Sequence, residues 1–356
     1  MASSSSSSSI SKTLQQDQNH NQKIMNALRN VLQHQSFMGR YTLYELVDSY
    51  LVDSLNQLLE KLWPNKSYSF FAPQPFSIER ANFTLLKENC KNYKICIKFD
   101  GIRFLCVITS LENIPITLLV DRKFRWYIID QHFPAFVYQK THILDGELLN
   151  TGEFIIHDIF MYNNRSLINL QWIERHRLIN DLLQHYVSNS TTPPNTFLLC
   201  PKIFYNLDSQ LHLAIETLNK YNQDLTTRRA DGLIFYPSRQ GVFGPLQLFK
   251  WKPTELNTID FIVRTNSKNN TMLDLICSHK GKEKVYCQYP KSEFQTQLQL
   301  QENQVYEFTY CAKTHHFRVI KQRTDKPTPN SLYTIGKTQL NVKENITQED
   351  LMKLIQ

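Results

Sequence analysis

The sequence predicts an α+β chain of two domains: a large mixed domain, then a small five-stranded β-barrel of the OB-fold type. Three observations predict it. At 356 residues the chain has room for two domains. From about Phe70 onward, short β-branched and aromatic runs alternate with amphipathic helical stretches. After Pro253, five short strand-like runs follow one another, a spacing that suits a small barrel.

The elements run in this order. "MASSSSSSSISKTLQQDQNHNQK" is low complexity, and residues 1–40 are expected to be a disordered tail. From Tyr41 to Trp63, Tyr44, Val47, Leu51, Leu55, Leu58 and Leu62 recur every three or four residues, one face of a helix that Pro64 ends. A core-packing helix is the plainer reading of that face; a partner-binding helix is the other. "YKICIKFD", "GIRFLCVITSL", "ITLLVDRKFRWYIID" and "FIIHDIFMY" read as strands. A helix is expected over about Ile168 to Val187 and another over Leu211 to Tyr221, with "TTPPN" a loop between them. "GLIFYP" and "LQLFKWKP" are strands again. The barrel strands are "TIDFIVRT", "TMLDLICSH", "KVYCQY", "QVYEFTYC" and "FRVIKQ". The first domain is thus placed at 41–253 and the barrel at 254–330. Residues 331–356 are expected to be a polar tail with a short helical end, "ITQEDLMKLIQ".

Bulk composition narrows the class. Hydrophobic residues at 41% and charged residues at 20% suit a soluble globular protein. A net charge of +8 favours phosphate-rich partners without choosing among nucleotides, RNA and membranes. Seven cysteines with no CxxC pair read as reduced, intracellular thiols. No run approaches eighteen apolar residues, and no secretory pattern opens the chain, so no membrane partner is expected.

One stretch is chemically odd. "IKFDGIRFLCVI" places Lys98, Asp100 and Arg103 inside an apolar run. Strand alternation puts Ile95, Ile97 and Phe99 on one face and Cys96, Lys98 and Asp100 on the other. Gly101 permits a tight turn or a close approach. An amine is a nucleophile only when neutral, and at its ordinary pKa about one lysine in a thousand is neutral near pH 7.4. Shifting that pKa by about three units needs roughly 4 kcal/mol. Nearby cations and desolvation can supply it, and Arg103, Lys250 and Lys252 are candidates. On this motif alone, a strand lysine paired with Asp100 is an equal reading.

The motif has company. "LDGELL" holds Asp145, Gly146 and Glu147; "EFIIHDIF" holds Phe154 and Asp158; "ADGLIF" holds Asp231 and Gly232. "LFKWKP" holds Lys250 and Lys252, and "KQRTDKPTPN" holds Arg323, Asp325 and Lys326. In this order, over about residues 70–330, the series resembles that of the covalent nucleotidyltransferases: mRNA capping enzymes and polynucleotide ligases. "FFAPQPFSIER", "LFKWKP", "QRTDKPTPN" and "LLVDRKFRWYII" are closer to the capping forms, and Cys96 stands where ATP-dependent DNA ligases usually carry glutamate. Ala72, Pro73, Glu153 and Lys321 depart from the capping pattern; Lys321 keeps the charge but loses the bidentate fork of arginine.

The resemblance implies an α+β, ATP-grasp-like nucleotidyltransferase domain followed by an OB-fold domain, and an mRNA guanylyltransferase. By that resemblance Lys98 attacks GTP, and Lys250 and Lys252 hold the α-phosphate. Arg103 and Glu147 hold the ribose, Phe154 stacks on guanine, and Asp100 and Asp231 belong to the nucleotide site. Glu147 and Asp231 are the carboxylates for Mg2+ or Mn2+, hard cations that take oxygen ligands. Arg323 and Lys326 grip the outer phosphates, so the barrel closes over GTP. For Phe154, core packing is the plain alternative. GMP then passes to a 5′-diphosphate RNA end, with Arg122, Lys123, Arg125, Lys280, Lys282 and Lys284 either steering RNA or merely solvated.

No "HCxxxxxR" loop, "ExExE" pair or methyltransferase glycine motif is visible. A separate RNA triphosphatase and cap methyltransferase are therefore expected partners, with RNA polymerase a further candidate. A nuclear location follows from a cellular capping role, and a cytoplasmic or virion one from a viral role. Two other functions compete: an ATP-dependent DNA or RNA ligase with a lysyl-AMP intermediate, and an inactive RNA-end-binding scaffold.

Overall fold

The computed structural model describes residues 32–37, 41–62, 72–111, 114–129, 133–186, 197–223, 230–294, 300–324 and 326–355. The low-complexity start and the "TTPPN" loop lie outside them. Among the described residues the strands form three sheets.

The first sheet has nine strands, and its centre is antiparallel: Ile114–Val120, Ile102–Leu111, His142–Leu148 and Glu153–Tyr162. Both of its faces are covered. Phe104, Cys106 and Ile108 fill one apolar core, while Leu105 and Val107 fill another on the opposite face. The second sheet orders Tyr205–Asn206, Tyr93–Phe99, Ala230–Pro237, Phe249–Trp251 and Phe76–Ser77. Its buried face packs on the helix Leu207–Gln223 through Ile95, Ile97, Phe235, Leu211 and Leu218.

The third sheet takes the order Lys282–Pro290, Met272–His279, Thr258–Thr265, Gln304–Cys311, His316–Gln322, antiparallel throughout. The order matches an OB-fold; the pairings found leave Lys282–Pro290 and His316–Gln322 as its two ends rather than a closed ring. Phe261, Phe308 and Phe317 meet edge to face in its core, with centroids 5.6 and 5.2 Å apart.

Several elements differ from the sequence reading. Tyr41–Leu46 is a strand, not the start of a helix. Leu43 and Leu46 lie three apart, so a strand sends them to opposite faces, and each enters a different core of the first sheet. The helix is Ser49–Leu62, opened by the Asp48 carboxylate, which accepts from Leu51 N–H at 2.9 Å. Residues 32–37, assigned above to the tail, pair with that strand. The helix placed at Ile168–Val187 runs over Trp172–Leu183, because Gln171 and Glu174 form a capping box there. The expected helical end is the helix Gln348–Met352, but the stretch before it is not a polar tail: it forms the helix Leu332–Glu344. These tie back to the second sheet: Trp251 Nε1 donates to Ile346 O at 2.8 Å, Asn341 Nδ2 to Ile78 O at 2.9 Å, and Leu351 and Leu354 join the core below.

Candidate active site

Three adjacent strands of the second sheet position the lysines. Ile95, Ile97 and Phe99 are buried beneath the sheet, so alternation turns Lys98 to the opposite face. Gly232 lies across from Lys98, and a bulge falls at Asp231 between Ala230 and Gly232. Lys98 Nζ donates to the Asp231 carboxylate, 2.9 Å from Oδ1 and 3.0 Å from Oδ2. Lys252 Nζ reaches Oδ2 of the same group. Lys98 thus has a carboxylate partner, and it is Asp231. Asp100 is exposed at the turn.

Lys250 stands in the same group. Burial pushes its pKa down to about 8, helped by the charges of Lys252, Lys98 and, more weakly, Arg122. Near neutral pH it keeps most of its charge yet gives it up more easily than an ordinary lysine. The glycine after Asp231 is sterically required: a Cβ on Gly232 would stand 1.9 Å from the Trp251 carbonyl oxygen. Only glycine lets the Asp231 and Lys252 strands approach this closely.

The first sheet contributes Glu147, whose Oε1 accepts from Gly101 N–H at 3.3 Å. A Cβ on Gly101 would meet Glu147 Cγ at 2.7 Å, which explains the glycine of the lysine motif by close approach. Arg122 is exposed by surface area yet partly desolvated by its surroundings, which, with the charge of Arg103, lowers its pKa. Its partner in the "DR" pair, Asp121, is taken up by Arg125 at 2.6 Å.

Two predicted binding residues have other work. Arg103 grips Asp145 in bidentate fashion, Nε–Oδ1 2.9 Å and Nη2–Oδ2 2.6 Å, and donates from Nη1 to Pro73 O at 2.9 Å. In this arrangement its guanidinium fixes the segment before the Phe76–Ser77 strand. Burial pushes the Asp145 carboxyl up, but Arg103 and then His157, 3.0 Å away, hold it well below the usual carboxylate range. Phe154 is fully buried in the core of the first sheet. A Cβ on Gly146 would meet its ring at 2.5 Å. Phe154 therefore packs under the "DG" glycine and presents no open face for stacking on a base.

Asp145 and Asp158 carry no role that the sequence alone assigns. Asp158 is fully buried and accepts from Arg175 Nε at 2.8 Å, Arg175 Nη2 at 2.7 Å and the Tyr236 hydroxyl at 2.7 Å. It joins the first sheet, a helix and the second sheet. The one signal in the sequence was a lone carboxylate in an apolar run, which demands a buried partner.

Arg323 and Lys326 are not gathered with Lys98. They sit against the third sheet, where both reach Asp260: Lys326 Nζ–Oδ2 2.6 Å, and Arg323 Nη1 3.3 and 3.4 Å from Oδ1 and Oδ2. Among the described residues no three or more His, Cys, Asp or Glu side chains gather as a metal site. Glu147 and Asp231 are hard oxygen donors, and two carboxylates suit a magnesium or manganese ion that keeps waters and phosphate oxygens as its other ligands. The donor set fits a divalent ion arriving on a nucleotide.

Comparison with known proteins follows the same lines. Residues 15–254 match the mRNA capping enzyme catalytic domain, and residues 256–352 match the mRNA capping enzyme C-terminal domain. The chain is 26% identical over 342 residues to the mRNA-capping enzyme subunit alpha of Schizosaccharomyces pombe, covering 84% of this chain and 83% of that one. It is 25% identical over 312 residues to the mRNA-capping enzyme of Mus musculus, covering 80% of this chain and 49% of the mouse protein, so it spans about half that relative's length. A solved mycobacterial DNA ligase D complexed with ATP and MES superposes with a TM-score of 0.39 at 12% identity, covering 72% of this chain and 94% of that one.

Proposed function

The chain belongs to the mRNA capping enzyme family, and from that premise we propose that it is an mRNA guanylyltransferase acting through Lys98. The observation that carries the assignment of the nucleophile is the shared carboxylate. Lys98 and Lys252 meet on Asp231, beside a Lys250 that burial and its neighbours push to about 8. In the first step Lys98 Nζ gives up a proton and its lone pair attacks the α-phosphorus of GTP. An N–P bond forms, the α–β anhydride bond breaks, and pyrophosphate leaves with the electron pair. In the second, a terminal oxygen of a 5′-diphosphate RNA attacks the same phosphorus. The N–P bond breaks, Nζ takes a proton back, and the GpppN linkage is made.

Lys250 and Lys252 hold the α-phosphate and stabilise charge on it as the bond order changes. A divalent ion held by Glu147 and Asp231 would neutralise phosphate charge. Asp231 accepts from Lys98 and Lys252 in the absence of nucleotide and so keeps both amines at the reaction point. Arg103, Asp145 and Asp158 act by fixing the strands. Arg323 and Lys326 meet the β- and γ-phosphates when the C-terminal sheet closes, which orients the leaving group in line. The boundary for that motion is placed near Pro253. An RNA triphosphatase and a cap methyltransferase complete the pathway, and a nuclear location goes with it. Two fungal relatives named as an alpha subunit support a partner subunit.

Incubation with α-labelled GTP or ATP and a divalent ion tests the reading. Label retained from GTP through denaturation, and lost in Lys98→Ala, is the expected result. Retention from ATP and not GTP would make this a ligase. A fully labelled Lys98→Ala would remove Lys98 from the mechanism.

A further inference from the structure

We propose that Asp260 is the positioning residue of the triphosphate grip, holding Arg323 and Lys326 as a pair until a nucleotide meets them. The proposal rests on the guanylyltransferase reading above. Asp260 lies on the Thr258–Thr265 strand, eight residues after Lys252, and is buried at 5% exposure. Its backbone is doubly anchored to the end of the Arg323 segment: Asp260 N–H donates to Asn330 Oδ1 at 2.7 Å, and Asn330 N–H donates to Asp260 O at 2.8 Å. Its carboxylate takes Lys326 at 2.6 Å and Arg323 at 3.3 Å. Arg323 is fixed from the main chain as well, its N–H donating to Val305 O at 2.8 Å. One carboxylate therefore sets the separation and direction of two cations three residues apart.

Exposure accounts for why this arrangement positions the cations without hiding them. Glu307 faces Asp260 across the strand pair and lies 4.0 Å from Arg323 and 3.6 Å from Lys321. Among the described residues, three cations stand beside these two carboxylates. Arg323 and Lys326 keep 24% and 29% of their side chains exposed, while the Asp260 side chain keeps 8%. The cations reach solvent, and the anion that holds them does not. A side chain held in place in the free protein loses less freedom on meeting its ligand. Asp260 touches no reacting atom; it acts through Arg323 and Lys326.

This places its effect in one half-reaction. The β- and γ-phosphates are present while Lys98 is guanylylated and absent once pyrophosphate has left. Asp260→Asn keeps the shape of the side chain and removes its charge. It is expected to slow Lys98 guanylylation at saturating GTP by about ten- to hundredfold, the loss of a charge-assisted contact. GMP transfer from pre-guanylylated, pyrophosphate-free protein to 5′-diphosphate RNA is expected to stay within about twofold of wild type. Asp260→Ser, folded by circular dichroism at the assay temperature, gives a second copy of the same split should the asparagine variant not fold. Combined with Lys326→Met, Asp260→Asn is expected to add little further loss, since both act on one contact. Equal slowing of both half-reactions would mean a merely structural role and overturn the proposal, as would guanylylation at wild-type speed. Wild-type protein that takes no label from GTP would sink the guanylyltransferase reading itself, and this proposal with it.

Discussion

The Lys98–Asp231–Lys252 group and the Arg323–Asp260–Lys326 group each bring two cations to one carboxylate. They differ in what surrounds that motif. The first is built across adjacent strands of one sheet, and a third lysine, Lys250, is crowded against it. The second sits where a strand runs into a loop, pairs an arginine with a lysine, and draws its carboxylate from deeper in the core. A lysine can be made neutral; a guanidinium in a protein cannot. The first group therefore suits a cation that must become a nucleophile, and the second suits charges that must persist.

Exchange of the two cation types is the most severe test of that contrast. Lys98→Arg keeps the charge and the Asp231 contact but supplies no neutral amine. Covalent labelling by GTP is expected to vanish. Arg323→Lys keeps the charge and loses the rigid fork, and should slow labelling by about tenfold without abolishing it. Both are read from a time course of label retained after denaturation. A Lys98→Arg protein that still labels would show that the bond to phosphorus is made elsewhere.

A smaller effect separates the two regions by stability. Gly232→Ala puts a Cβ against the Trp251 carbonyl, and backbone cannot move aside cheaply. Overpacking of this kind costs about 1–3 kcal/mol or more. In the C-terminal sheet Gly281 has φ +76° and nothing within 4 Å of a built Cβ. Gly281→Ala should cost about 1 kcal/mol, the strain of a left-handed residue alone. Urea unfolding of the two variants measures the difference, and equal losses would mean the strands at Asp231 are looser than they look.

The same contrast shows what could be read from the sequence. All five strands of the C-terminal sheet were legible because alternating apolar residues meet a single core. The direction of Lys98 was legible because strand register alone turns it away from Ile97 and Phe99. The helix Leu332–Glu344 was not: only Ile335, Asn341 and Val342 are buried on it, too few to give a period. Phe154 and Arg103 suit a nucleotide by residue type, whereas their contacts with Gly146 and Asp145 are tertiary and cannot be read from the sequence. Asp260 could not be found at all, since "TIDFIVRT" shows one acidic residue in a strand and nothing of the Arg323 segment folding over it.

The mildest prediction concerns protons at Lys250. With a pKa of about 8 in the free protein, Lys250 carries its charge at pH 7 and has mostly lost it by pH 9. If that charge holds the α-phosphate, the contribution of Lys250 to kcat/KM for labelling falls about tenfold over those two units, because kcat/KM reports the free enzyme. The ratio of Lys250→Arg to wild type should rise about tenfold from pH 7 to pH 9, because the guanidinium stays charged throughout. Stability moves the other way with pH. The unfolded lysine titrates near 10.5, so between about 8 and 10.5 the unfolded chain holds more protons and this group makes folding more favourable as pH rises. A Lys250→Arg protein, charged throughout, should lose that gain in a melting series. A flat activity ratio beside a changed melting series would locate the shifted proton on Lys250 but take the phosphate away from it, leaving Lys252 to hold the α-phosphate alone.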